Sequence, residues 1–235
     1  MKLLSLFLSI FLLVNCGGGN SNSDQILVTP QNAAPQPLFN DVPIKLDDAI
    51  SIYGQACPDP SFQFLIPVKI NADNFVDFIA HFWCDSDNPA AIDDKPTEDA
   101  LVAYLSDGLG GYSIDNQNVF GIEVPKLGGA SRKYSRGDIN NDGKDDLFLI
   151  AHGWDFAPKP GEESILLLSD GDRYRSINPK FGKGFWHSGA VGDINNDGLA
   201  DLLLVTPGKG ENMFAIQKYD GTFEKQVLPL GFSSD

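Results

Sequence analysis

The sequence predicts an all-β fold of about three four-stranded antiparallel repeats, and three observations predict it. Two stretches of the 235 residues nearly coincide, Gly137 to Leu147 and Gly192 to Leu202. Asp-Gly turns followed by an aromatic recur in step: Asp170-Gly171 before Tyr174, Asp220-Gly221 before Phe223, and a longer-tipped Asp107-Gly108 before Tyr112. Asp-Gly between apolar runs is a strong hairpin signal, because glycine accepts the positive φ such turns need. Finally, 24 Gly and 15 Pro with few helix-period runs suit short strands joined by turns.

Each repeat then reads as four elements. One strand enters a loop (64–68, 131–136, 188–191) and another leaves it (75–83, 147–151, 202–206). A hairpin follows (101–105 with 112–114, 165–168 with 174–177, 213–217 with 223–227). The leaving strands are nearly continuous apolar runs, as expected of strands covered on both faces. Four antiparallel strands per repeat make the blade of a β-propeller, with repeats at about 62–120, 130–178 and 186–228. Familiar closed propellers use at least about four blades. The expectation is therefore β-propeller-type blades in a partial or small propeller. Closure by residues 39–54 or by a second chain are the other routes.

The twin loops carry the functional signal. Asp138, Asn140, Asp142 and Asp146 stand at positions 1, 3, 5 and 9 of one loop, and Asp193, Asn195, Asp197 and Asp201 at those of the other. Gly143 and Gly198 occupy position 6, and the backbone carbonyls of Lys144 and Leu199 fall at position 7. Alternate oxygen donors converge when such a chain curls, and the glycine allows the bend, so the pattern predicts two structural Ca²⁺ sites. An ordinary Asn-Asp-Gly turn on an acidic surface is the bland alternative. The bidentate Glu of an EF-hand is missing, since Leu149 and Leu204 stand at position 12. A third, degenerate loop spans Lys69 to Asp77, keeping Asn71, Asp73 and Asp77, with Asn74 in place of the glycine. Lys69 replaces the first carboxylate and is expected to stand in for the ion beside Asp73 and Asp77.

These motifs resemble the FG-GAP/VCBS repeats of integrin α-subunit propellers, whose blades carry Asp-x-Asn/Asp-x-Asp-Gly-x-x-Asp loops between their first two strands. The resemblance rests on 188–198 and 137–147, and Phe120-Gly121 and Phe181-Gly182 stand where family members have a Phe-Gly pair. It covers about 62–228, degenerate in the first repeat. It implies a surface binding or adhesion module with structural calcium, whose partner is a protein or carbohydrate ligand at the cell surface. The alternatives are an accessory or catalytic component acting on extracellular polysaccharide, and a structural envelope component.

The N-terminus resembles a bacterial lipoprotein signal. Lys2 precedes an apolar stretch from Leu3 to Val14, too short to span a bilayer comfortably, and Leu13-Val14-Asn15-Cys16 follows, with Asn15 where a small residue is usual. The resemblance implies a signal peptide at 1–15, an acylated Cys16 and a flexible linker to residue 38, then a repeat domain at 39–235. The chain is thus expected to be exported and lipid-anchored at the bacterial outer membrane or cell surface. Cys57 and Cys84 remain, either bridged in a disulfide-permissive compartment or as two thiols.

The formal charge is −15, from 32 acidic and 17 basic residues, which argues against nucleic-acid partners. No phosphate loop, nucleophile elbow or zinc-spaced histidine pair is legible among His81, His152 and His187, so no enzymatic activity is expected. His81 reads as a core histidine. Trp154, Phe156, Tyr174 and Trp186 read as blade-interface filling, with an exposed aromatic platform as the sharper reading. Acidic pairs such as Asp93-Asp94 and Glu162-Glu163 read as solvated loop surface.

Overall fold

The structure is a computed structural model that describes residues 60–84, 98–122, 124–125, 127–128, 131, 133–153, 161–207 and 211–228. Cys16, the linker, the segment 39–54, Cys57, the Cys84 side chain, Trp154 and Phe156 lie outside the described residues, as do the acylation, the disulfide and half of the aromatic cluster expected from them.

Three antiparallel meanders make up the fold. The first joins β1 (Pro60–Val68), β2 (Asp77–Cys84), β3 (Glu98–Ser106) and β4 (Tyr112–Ile114) in that order. After the short helix α1 (Asn116–Phe120), β5 (Leu127–Gly128) pairs with β3 as a fifth strand of the same sheet. The second sheet orders β6 (Lys133–Gly137), β7 (Asp146–Ile150), β8 (Ile165–Asp170) and β9 (Arg173–Ile177). The third orders β10 (Ser188–Gly192), β11 (Asp201–Val205), β12 (Met213–Gln217) and β13 (Phe223–Val227). Each hairpin predicted from an Asp-Gly turn is present, and the all-β, propeller-like class of three four-stranded meanders holds.

The second sheet is the middle layer, which explains the continuous apolar run of β7. All five of its residues are buried. Leu147 and Leu149 point one way, into a cluster with Ile66, Ile79, Leu101, Leu167 and Tyr174. Phe148 and Ile150 point the other way, against Leu166, Trp186, Leu202, Leu204 and Met213. Successive strand side chains face opposite sides, so a strand sandwiched between two sheets must be apolar at every position. Each of these fully buried side chains contributes about 1.5–3 kcal/mol of transfer free energy. The outermost strands show the opposite pattern: Tyr174 is the one buried residue of β9, and β13 has none.

The entering strands pack side by side. Ser135 Oγ accepts the Val191 N–H at 3.1 Å, and a Cβ on Gly137 would lie 2.7 Å from Val191 Cγ1. Between the first and second sheets, the Phe64 and Tyr134 rings meet at 5.3 Å and Arg136 donates to the Pro67 carbonyl at 2.9 Å.

Several edges differ from the sequence reading. The strand leaving the first loop starts at Asp77 rather than 75, because Phe75 and Val76 belong to the loop and are exposed. The Phe75 ring instead covers Gly108 at the hairpin tip. The helix α1 has no counterpart among the predicted elements. Asp115 caps it by accepting the Asn118 N–H at 3.2 Å, and Gly121 ends it at φ 89°. Its last residue, Phe120, fills the seam between the first and second sheets. In the following repeat Phe181 has the equivalent role, edge-on to Phe148 and Phe223, and Gly182 also has positive φ.

Candidate functional site

The loops after β6 and β10 have the same internal wiring. In the second-sheet loop, Asp138 accepts the N–H groups of Asp142 and Gly143, both at 2.9 Å. Asn140 Oδ1 accepts from Asp142 N at 3.0 Å, and Asp142 Oδ1 accepts from Lys144 N at 2.9 Å. Asp193, Asn195 and Asp197 repeat these bonds to the amides of Asp197, Gly198 and Leu199 at 2.9–3.1 Å. Gly143 and Gly198 sit at φ 83° and 85°, and Asn141 and Asn196 at 59° and 60°, so each loop makes two left-handed steps. The degenerate first loop makes one, at Asn74 with φ 69°, because Ala72 stands where the asparagine would be. The two intact loops also touch: Asn141 Nδ2 reaches Gly198 O at 3.5 Å, and Gln217 Nε2 donates to Ile139 O at 3.1 Å.

Position 9 does a separate job in all three repeats. Asp77, Asp146 and Asp201 are completely buried. One oxygen accepts from the residue at loop position 2: Ile70 at 2.8 Å, Ile139 at 2.7 Å and Ile194 at 2.9 Å. The other accepts from the third strand of the same sheet: Ser106 N at 2.9 Å, Ser169 N at 2.6 Å and Gln217 N at 2.8 Å. Asp146 takes a third amide, Asn140 N, at 3.0 Å. The carboxylate therefore latches the loop to its hairpin, and it does so in the first repeat as well.

Burial pushes the Asp146 carboxyl above its ordinary range despite the opposing amides of Ser169, Ile139 and Asn140. At the exposed Asp142 slight desolvation pushes upward too. There the Lys144 N–H, the Asn140 amide and the Ser169 hydroxyl outweigh it and hold the carboxyl low. Tyr174 is held well above the ordinary phenol range, by burial first and then by the Asp146 and Asp145 charges.

The donor set of each intact loop is all oxygen, the chemistry of a hard divalent cation. Among the described residues no three His, Cys, Asp or Glu side chains converge as a metal centre by themselves. A cation here would need the Asn140 or Asn195 amide and the position-7 carbonyl besides the carboxylates. A carboxylate has about four acceptor sites, so the bonds to Asp138, Asp142, Asp193 and Asp197 leave capacity there, and the three amides on Asp146 and two on Asp201 leave some on these as well. The residues present fit the ion.

Lys69 does not behave as expected. It forms no ion pair with Asp73 or Asp77: Asp73 accepts from Phe75 N at 2.9 Å, and Asp77 is taken up by its two amides. A buried carboxylate satisfied by backbone donors has no need of an ammonium. Lys69 instead lines a cleft of about 620 Å³ between the first and second sheets, shared with Arg136, Lys144, Arg173 and Tyr174. A smaller cleft of about 430 Å³, with Arg175, Lys218 and Tyr219 on its walls, lies one repeat along.

Other expectations resolve more simply. His81 is buried against the Phe64 ring at 4.6 Å, as a core histidine. Tyr174 and Trp186 are buried in the inter-sheet clusters rather than on a platform. Sequence reasoning missed one constellation: the Nε2 atoms of His152 and His187 lie 2.7 Å apart, with Phe185 3.9 Å from the His152 ring. His152 Nδ1 lies 2.8 Å from the Gly153 carbonyl, which can only accept. That nitrogen therefore donates, and one of the two Nε2 atoms donates to the other. No local spacing announces this pair, because β7 ends and β10 begins there on adjacent sheets.

No curated protein matches the chain significantly. Residues 138–204, from the first aspartate of one intact loop to the strand leaving the other, match the model of the FG-GAP-like repeat family. Over that segment, with its paired loops and latched hairpins, the chain is similar to FG-GAP-like repeats.

Proposed function

We propose that this chain is a calcium-braced interaction module, exported and held at a bacterial envelope through acylated Cys16. The observation that carries this reading is the identical wiring of the two Asp-x-Asn-x-Asp-Gly-x-x-Asp loops on adjacent, mutually hydrogen-bonded connections. Asp138, Asn140, Asp142, the Lys144 carbonyl and Asp146 hold one Ca²⁺; Asp193, Asn195, Asp197, the Leu199 carbonyl and Asp201 hold the other. The ion draws loop carboxylates together that otherwise repel, so its contribution is stiffness rather than chemistry. The FG-GAP-like match supports the propeller-like interaction role, and the sequence up to the linker supports the lipid anchor. Calcium titration by calorimetry is the test. Two sites are expected, and an absence of binding at millimolar calcium would remove the brace from this reading.

A further inference from the structure

We propose that the cleft between the first and second sheets binds an acidic polysaccharide through its carboxylates. This rests on the interaction-module reading and names the chemistry of its ligand. The cleft is an electrostatic anomaly. Four of its lining residues are basic, Lys69, Arg136, Lys144 and Arg173, against two acidic ones, Asp145 and Asp172, a local balance of 4 − 2 = +2 on a chain of formal charge −15. Concave walls of one sign raise the local concentration of the opposite charge.

The four cations differ in a useful way. Arg136 and Lys144 are fixed by backbone carbonyls, at Pro67 (2.9 Å) and Gly171 (2.8 Å), and Arg136 also meets Asp145 at 3.4 Å. Lys69 and Arg173 make no ion pair among the described residues, so their charge is available. The neighbouring cleft is less basic: Lys218 there is paired with Glu224, leaving Arg175 beside Asp220 as its one cation without an ion pair among the described residues. The sequence step that costs the first loop its leading carboxylate therefore places a cation on the wall of this cleft. A guanidinium fork such as that of Arg173 matches a planar carboxylate in two-point geometry.

The β1 edge argues against a peptide added there as a strand. An extended peptide docks by adding to a sheet edge, which needs free N–H and C=O groups. At this cleft β1 offers Pro67, which has no N–H and whose carbonyl Arg136 already fills. A chain of acidic sugars needs no such ladder.

The test is calorimetric titration of the full chain in detergent with tetragalacturonate, at low ionic strength and fixed free calcium. Binding is expected, weakening as salt rises. Lys69→Glu and Arg173→Glu should each lower affinity about tenfold or more, with the melting temperature retained because both side chains are exposed. Lys218→Glu should leave binding unchanged. No binding by the unaltered chain, equal binding of a neutral galactan tetramer, undiminished affinity in both cleft variants, or tighter binding of a Glu-rich decapeptide would each overturn the proposal. A calcium titration of the same samples separates the two readings: glycan binding without calcium binding removes the brace alone, and the converse removes the cleft alone.

Discussion

Gly137 and Val191 face each other across the second and third sheets so closely that a Cβ on Gly137 would come within 2.7 Å of Val191 Cγ1 and 3.3 Å of its Cβ. A β-branched side chain cannot swing aside cheaply. The spacing of the two entering strands is thus set at a point with no slack. Gly137→Ala should destabilise by about 1–3 kcal/mol, the usual range for overpacking. The double variant with Val191→Ala should recover most of that loss, and denaturant unfolding of the four proteins of the cycle measures it.

The Asp146 latch predicts a larger loss. Asp146→Ala leaves the amides of Ile139, Asn140 and Ser169 buried or partly buried without their acceptor. At about 1–3 kcal/mol for a buried donor left unsatisfied, the variant should lose several kcal/mol in all. The measurement belongs in chelator, so that lost metal binding does not contribute. Asp77→Ala, in the loop not expected to bind metal, should show a comparable loss.

Calcium removal gives a graded series. Chelator should lower the melting temperature of the unaltered chain, and Asp193→Ala should bind one ion fewer and respond less to chelator. A third bound ion would contradict the assignment of the Lys69 loop as metal-free. Identical melting curves with and without chelator would end the idea of structural calcium.

Acid should loosen the hairpin tips only below the ordinary aspartate range. The N–H groups of Leu109 and Gly111 hold Asp107 below its ordinary 3.8, and the Thr222 hydroxyl and N–H do the same for Asp220. A depressed folded value means stability that is present above the unfolded value and lost as pH falls through the folded one. Carboxyl NMR titration should therefore give both aspartates midpoints below 3.8, with hairpin amide protection declining in the same window. Midpoints at or above the ordinary value would count against these turn bonds.

Asn74 tests the backbone of the first loop. At φ 69° an alanine pays the left-handed penalty of about 1–2 kcal/mol, whereas glycine does not. Asn74→Ala should unfold at lower denaturant than the parent, and Asn74→Gly should stay close to it.

Much of the fold is legible in the chain because its signals are local. The Asp-Gly turns locate all three hairpins, and the apolar run from Leu147 to Ile150 announces a strand covered on both faces. Other features need distance. The helix at Asn116–Phe120 is a single capped turn whose apolar residues face a different sheet, so no periodicity could reveal it. The destination of Lys69 depends on the amides of Ile70 and Ser106 having already satisfied Asp77, and Ser106 lies a whole hairpin away. The His152–His187 contact joins residues on neighbouring sheets and has no sequence signature. Spacing alone presents the twin loops as single-purpose donor sets; the buried position-9 aspartates show that one residue of each set fastens strands.

The latch at Asp77 separates the loop positions that differ between repeats from the one that does not. The first repeat carries Lys69 where the other two have an aspartate and Asn74 where they have glycine, yet Asp77 grips both Ile70 and Ser106. The loop positions ahead of it differ between repeats without the blade coming apart, while the aspartate that fastens it is present in all three. A repeat of this architecture can therefore hold its hairpin through that last residue whatever its loop carries, which leaves the loop open to other chemistry, as the one bearing Lys69 shows.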